Sequence, residues 1–204
     1  MAFDYDKNKT YLLACSFGPD SMALFHMLLM QEYHHLIVVH VNYHKRPESD
    51  YEEQSLKDFC QSRNIPCYVL DTNQEPYEKG NFEAWARHVR YEFFQKIYQE
   101  VKAEGLFVAH NEDDLLETYI MQMNRNMIIP FYGIAEETTL YDMKVYRPLL
   151  DMPKAKLQED CDFHEVPYSI DSSNLSDDYT RNEIRHHVIA KFSLEERSKM
   201  AFSI

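Results

Sequence analysis

Glycine is scarce in this sequence, four residues in 204, and neither Gly-Lys-Ser/Thr nor GxGxxG occurs. A Walker-type phosphate loop and a dinucleotide fingerprint are therefore excluded. The four cysteines, at positions 15, 60, 67 and 161, form no CxxC pair. That argues against a zinc ribbon, a cysteine-ligated cluster or a disulfide framework. Reduced thiols in a cytoplasmic protein are the expectation. No apolar run reaches the ~18 residues of a membrane span, so no membrane partner is expected. The opening MAFDYDKNKT is polar and mixed in charge and reads as neither a signal nor a transit peptide. Internal repeats and low-complexity segments are absent. Basic charge is also short: 21 Lys and Arg stand against 34 Asp and Glu, for a net −13. An acidic balance counts against a nucleic-acid binder unless a local basic patch supplies the footprint.

What is present is enough apolar content, 45%, to bury the core of one domain or of one domain with a small appendage. Strand-like runs occur at 11–14, 36–41, 67–70, 106–109 and about 144–149. Helix-like segments lie between them, at about 21–33, 51–63, 82–104 and 113–125. The second opens with Ser49-x-x-Glu52, a capping-box pattern. The third carries Trp85, Val89, Phe93, Ile97 and Val101 at i+4 steps, and the fourth turns Leu116, Ile120 and Met123 inward. Alternating β and α elements with apolar strands predict an α/β fold, a parallel doubly wound sheet of about five strands. Residues 1–150 form that domain. Residues 151–204 read as a helical extension packed on it, or as the start of a further C-terminal region. Such sheets bind ligands at the carboxyl ends of their strands, and the first βα turn is a favoured place.

That turn is Cys15-Ser16-Phe17-Gly18-Pro19-Asp20-Ser21. Hydroxyls and the backbone N–H groups at a helix start suit phosphate oxygens. A carboxylate beside phosphates implies a cation between them, so Asp20 points to Mg²⁺. The competing reading is a helix cap by Ser16 or Asp20. Further along, Asn111-Glu-Asp-Asp-Leu-Leu-Glu117 gathers acids at a strand-to-helix junction. They are either dipole-compensating caps or ligands for a metal ion or an ammonium group. Asp113 and Glu117 share one helix face and Asp114 lies on another. Glu83, Arg87 and Arg90 are spaced for helix-surface ion pairs.

SFGPDS resembles the SGGxDS pyrophosphate loop of the N-type ATP pyrophosphatases, whose fold is adenine nucleotide alpha hydrolase-like. Ser16, Gly18, Asp20 and Ser21 match, and Phe17 replaces the first glycine. With φ below zero at Phe17 the loop still forms, but its backbone approaches phosphate less closely. Later segments resemble one family of that superfamily, the tRNA(Ile)-lysidine synthetases. They are His40-Val-Asn-Tyr-His, Glu83-Ala-Trp-Ala-Arg87-His-Val-Arg-Tyr91, Ala109-His-Asn-Glu-Asp-Asp-Leu-Leu-Glu-Thr118, Arg147-Pro-Leu-Leu150, Asp171-Ser-Ser-Asn174 and Tyr179-Thr-Arg-Asn-Glu-Ile-Arg185. The matches run in order from Ser16 to Arg185. Asn111 departs from the pattern by replacing a second histidine. So does the apolar 124–134 segment, where the family has Arg-Gly and a glycine-rich loop; there Gly133 is expected to close the loop.

The resemblance implies ATP and Mg²⁺ as cofactors and an adenylated cytidine as intermediate. L-lysine and a tRNA(Ile) with a CAU anticodon are the implied partners. Ser16, Phe17, Gly18, Pro19, Asp20, Ser21, His40, Val41 and His110 would bind the nucleotide, and Asp20 and Asp113 the metal. Asp20, Arg87, Asp114 and Glu117 would be catalytic, with Asp114 and Glu117 near the lysine. Asp114, Arg181 and Arg185 would face substrate and tRNA. The Arg147 segment reads as structural. The sequence is compatible with a homodimer and fixes no oligomeric state. Rival readings are a tRNA thiolase, another synthetase of the superfamily, or a non-catalytic adenine-nucleotide module. The thiolase commonly needs the CxxC cysteines that are absent here.

Family members carry RNA-binding domains after the catalytic one, which would account for the acidic balance of this segment. These 204 residues are accordingly expected to bind tRNA more weakly than about 1 μM at physiological salt. A gel shift showing tighter binding would contradict this.

Overall fold

The computed structural model describes residues 2–74, 77, 80–125, 128–170, 184 and 189–202. They fall into two compact units. The first comprises Met1–Phe17, Phe25–Val108 and Thr138–Tyr146, and the second Gly18–Leu24, Ala109–Glu137 and Arg147–Ile204. In chain order the elements are β1 (Tyr11–Ala14), α1 (Pro19–Met30), β2 (Leu36–Asn42), α2 (Ser49–Gln61), β3 (Cys67–Asp71), a 3₁₀ turn at Thr72–Gln74 and α3 (Phe82–Val101). There follow β4 (Gly105–Val108), α4 (Glu112–Asn124), β5 (Glu137–Leu140), β6 (Met143–Tyr146), α5 (Lys154–Phe163), a 3₁₀ turn at Ile189–Lys191 and α6 (Leu194–Phe202). Among the described residues no helix is long and apolar enough to cross a membrane, and no disulfide joins the cysteines.

The sheet has the order β3-β2-β1-β4-β6-β5. β1 pairs in parallel with β2 and with β4, Tyr11 lying opposite Leu36 on one side and Gly105 on the other. β2–β3 and β4–β6 are also parallel. Tyr11, Leu12 and Leu13 are all buried, as a strand covered on both faces requires. One face packs Leu12, Val39, Leu106 and Val145 against Tyr91, Phe94 and Ile97 of α3. Each such side chain gains about 1.5–3 kcal/mol on leaving water. The first unit also holds a ring cluster in which Phe107 meets Tyr5 at 5.2 Å and Tyr11 at 4.8 Å, and Tyr146 meets Tyr5 at 4.6 Å. The Tyr33 hydroxyl donates to the carbonyls of Phe3 and Tyr5, which anchors the N-terminal segment.

Six strands stand where about five were expected. The added one, β5, is a short half-exposed Glu-Thr-Thr-Leu run. It turns into β6 through Tyr141 and Asp142, both at positive φ, 50° and 58°. That is type I′ hairpin geometry without the glycine that usually announces it. The capping box at Ser49 is not formed: Ser49 is already helical, Glu48 is the N-cap without a side-chain cap bond, and Glu52 instead accepts from Arg46. On α3 the i+4 line is only part of the buried face: Ala86, Tyr91, Phe94 and Ile97 are buried, while Trp85, Val89, Phe93 and Val101 are half-buried. On α4, Leu116 is buried, but Met123 is 48% exposed. In the second unit, Leu116, Ile184 and Ile189 make a small core joined by Ile120, Met121, Met200 and Ala201, so α6 packs on α4.

Gly105 is a close-approach glycine. A Cβ there would overlap the Tyr146 ring, which is held among its aromatic neighbours and has little freedom to move. Gly105→Ala is expected to cost about 1–3 kcal/mol. In thermal unfolding that should lower Tm by roughly 2–4 °C per kcal/mol. An unchanged Tm would show that the ring yields.

Candidate functional site

In the first unit, β1 ends beside β2. The Cys15 N–H donates to the Val39 carbonyl at 3.1 Å, and His40 Nδ1 meets the Cys15 carbonyl at 2.8 Å. A carbonyl only accepts, so Nδ1 carries the proton and Nε2 is the acceptor. His40 is 5% exposed, and burial pushes its pKa below the ordinary value, the Cys15 bond opposing. His40 is therefore a neutral brace that fixes the entry to the turn. Asn42 ties the next loop: its amide donates to Asp50 (2.9 Å) and Glu53 (2.8 Å), and its oxygen accepts from the His44 N–H (2.8 Å). Ser16 is exposed and Val41 half-buried.

At Phe17 the negative-φ case weighed from the sequence does not apply. Its φ is +65°, not negative, and its ring is buried at 3% exposure. The residue thus takes the left-handed conformation that glycine adopts most readily, and ring burial offsets the backbone strain. Arg87 lies with its guanidinium 4.8 Å from the Tyr91 ring centroid, and Arg90 at 5.7 Å from the same ring.

In the second unit, the turn enters α1. The Gly18 carbonyl accepts from the Ser21 hydroxyl and the Met22 N–H, both at 3.0 Å. Pro19 occupies the first helical position, where a missing N–H costs nothing. Asp20 follows in the first turn, and Lys154 Nζ stands 3.7 Å from its Oδ2. Lys154 is itself the first residue of α5, an unfavourable end for a cation, and the Asp20 carboxylate compensates. The Cys161 thiol donates to the Pro19 carbonyl at 3.5 Å. Burial, with the carboxylates of Asp160, Asp162 and Asp20, pushes its pKa up to about 12, so it is an inert packing group.

The acid-rich helix α4 starts in the same unit. Asn111 and Asp114 form a reciprocal capping box, at 3.1 Å and 3.0 Å. Asp113 and Glu117 share the buried face, at 7% and 1% exposure. Asp113 Oδ1 accepts no hydrogen bond from the described residues, and Arg197 of α6 stands 3.8 Å away. Arg147 is buried: Nε donates to His110 Nδ1 at 3.0 Å and an Nη to the Ala135 carbonyl at 2.7 Å. The expected structural role of Arg147 is met, and the bond sets the His110 tautomer with its proton on Nε2. Gly133, at φ 82°, donates its N–H to Gln122 at 2.6 Å and so closes the altered loop onto α4.

Of the expected site residues, Gly18, Pro19, Asp20, Ser21, His110, Asp113, Asp114 and Glu117 belong to the second unit, and Ser16, Phe17, His40, Val41 and Arg87 to the first. Asp171–Asn174, Arg181 and Arg185 lie outside the described residues. Among the described residues no group of three or more acid, histidine or cysteine side chains is arranged as a metal site. One or two carboxylates with phosphate oxygens and water suffice for Mg²⁺. The half-buried Asp20 and the orphaned Asp113 Oδ1 have the chemistry for that. Lys154 and Arg197 were missed in the sequence. A lysine opening a helix straight after a proline was the one available signal for Lys154.

The model of the PP-loop domain matches residues 2–192. The chain is 43% identical over 193 residues to a tRNA(Ile)-lysidine synthase of Ureaplasma parvum serovar 3, covering 93% of this chain and 57% of that protein. It is 37% identical over 185 residues to the tRNA(Ile)-lysidine synthase of Mycoplasma mycoides subsp. mycoides SC, covering 90% of this chain and 46% of that one. The chain thus spans about half the length of the curated relatives it matches. Among solved structures, a U34-tRNA thiolase from Methanococcus maripaludis superposes with a TM-score of 0.72 at 16% identity, covering 98% of this chain and 74% of that one, a likeness of fold.

Lys154 sets a test of the turn. The Asp20–Lys154 pair is partly exposed, 23% and 28%, so Lys154→Ala should change stability by less than about 1 kcal/mol in thermal unfolding. If the ammonium serves bound phosphate, the same change weakens pyrophosphate binding about 10- to 100-fold by calorimetry. Unaltered affinity would reduce Lys154 to a partner for Asp20.

Proposed function

The chain belongs to the PP-loop domain family, and from that premise we propose that it takes part in ATP-dependent attachment of L-lysine to C2 of the wobble cytidine of tRNA(Ile) with a CAU anticodon. The observation that carries this reading is the identity of 37–43% to proteins named tRNA(Ile)-lysidine synthase across nine-tenths of the chain. The cytoplasm is the compartment that this substrate implies.

The reaction has two displacements. The cytidine O2 attacks the α-phosphorus of ATP, the bond to the β-phosphate oxygen breaks, and pyrophosphate leaves. The lysine ε-amine then attacks C2, the C2–O bond breaks, a proton is released, and AMP leaves with the former O2. The first step builds negative charge around the phosphates. The turn from Ser16 to Ser21 holds the polyphosphate, and Lys154 and Arg87 neutralise it. Asp20 and Asp113 would hold Mg²⁺, which when bound supplies positive charge to the leaving pyrophosphate. His40 and Val41 border the adenine, and His110 offers its Nε2–H to an oxygen of the nucleotide. For the second step the incoming ammonium must give up a proton. Asp114 and Glu117 are the carboxylates assigned to recognise it, and buried Glu117 is the one assigned to take the proton. Arg181 and Arg185 supply cations for RNA.

The test is product release from ATP with an anticodon stem-loop. Pyrophosphate should appear with a CAU loop and not with UAU, and AMP only when lysine is added. Asp20→Asn should lower the pyrophosphate rate by about 100-fold or more. Pyrophosphate release indifferent to the RNA would point to a small-molecule synthetase, and binding of ATP without release to a nucleotide sensor.

A further inference from the structure

Four aromatic rings gather in the first unit at the carboxyl end of β2, just beyond His40 and Val41. Tyr43 follows the last residue of the strand, and Phe82 and Trp85 lie in the first turn of α3. Ring centroids are 5.5 Å apart for Phe82–Trp85, 6.0 Å for Tyr43–Phe82 and 6.2 Å for Tyr43–Trp85. Tyr77 closes the group at 5.5 Å from Phe82 and 5.4 Å from Trp85. None of the four is buried: Tyr43, Phe82 and Trp85 are half-exposed and Tyr77 is 38% exposed. Four clustered rings left partly open to water at the carboxyl end of a parallel strand are a binding surface more than a core.

The charges around the rings narrow the ligand. In a chain of net charge −13, the exposed Lys45 sets its ammonium 4.0 Å from the Phe82 ring centroid. The α3 surface beyond Trp85 continues with the exposed Arg87, and Glu83 is the acid in that first turn. The Tyr43 hydroxyl donates to the Ala86 carbonyl at 2.9 Å, which ties the strand end to the helix and makes the platform stiff. Stiff rings, with a cation over the face of Phe82, match the flat face of an unpaired base stacked on the neighbouring rings and the phosphate next to it.

We propose that Tyr43, Phe82 and Trp85, with Lys45, form a stacking platform for an unpaired RNA base adjoining the one that reacts. This rests on the RNA-substrate reading above and deepens it. A wobble cytidine that enters a nucleotide site must leave its stack, and its neighbours in the loop then need a surface to lie on.

Trp85 is the sole tryptophan of the sequence, so emission excited beyond the tyrosine absorption band reports on this patch alone. The chain is titrated with an unstructured anticodon-loop oligoribonucleotide, with the same strand closed into a duplex, and with ATP alone. N-acetyltryptophanamide corrects for absorbance, and the anisotropy of a labelled oligoribonucleotide gives binding independently. The single strand should quench Trp85 in step with the anisotropy, while the duplex and ATP do not. Phe82→Ala should weaken binding about 5- to 100-fold. Lys45→Gln, an exposed change that spares the rings, should weaken it less and lower the slope of log affinity against log salt by about 1. Binding by anisotropy with Trp85 unchanged overturns the platform, as does no binding at all. Equal quenching by ATP overturns it too and gives the rings to adenine. Pyrophosphate release in a further sample that holds the single strand and ATP together separates the two readings. Turnover with a silent Trp85 removes the platform alone, and quenching without turnover removes the ligase alone.

Discussion

The turn out of β1 depends on one backbone torsion. At Phe17 the chain enters the left-handed region, φ +65°, where a side chain costs about 1–3 kcal/mol. The buried phenyl ring returns a similar amount. Without that excursion the strand would run on, and Pro19 could not open a helix directly behind Gly18. The strain therefore sits in the turn between β1 and α1, and hydrophobic burial keeps it there.

Inside each unit, polar side chains act as braces. In the first unit His40 grips the Cys15 carbonyl, and Asn42 gathers Asp50, Glu53 and the His44 amide. In the second, Asn111 and Asp114 cap each other, and Arg147 bonds His110 and the Ala135 carbonyl. His40, Asn42, Asn111 and Arg147 are buried groups that would be costly unpartnered, so each fixes a loop position as well as satisfying itself. Atoms held in such a frame are positioned by the fold itself.

Much of this was legible from spacing. Strands of parallel-sheet type, the turn at Ser16–Ser21 and the acidic start of α4 all announce themselves by local residue pattern. The pairing of Asp113 with Glu117 on one buried face followed from helical periodicity. What escaped was non-local or chemically muted. Lys154 lies far from Asp20 in the chain, and no local pattern links them. β5 is short, polar on one side and closed by Tyr-Asp rather than Asn-Gly. The sign of φ at Phe17 was not legible, because burial of the ring, a non-local term, offsets the residue's preference for negative φ. Ser49 looked like a cap because its neighbours fit the box, yet the helix starts one residue sooner and Glu52 prefers Arg46.

The Arg147–His110 bond has a bearing on selectivity. A guanidinium is a permanent donor, so it occupies the imidazole lone pair at Nδ1 and leaves an N–H at the opposite corner. A ring so oriented welcomes anionic oxygen and turns away ammonium groups and divalent ions, which demand a lone pair. One arginine thus decides that whatever meets this corner of the ring is met by a donor.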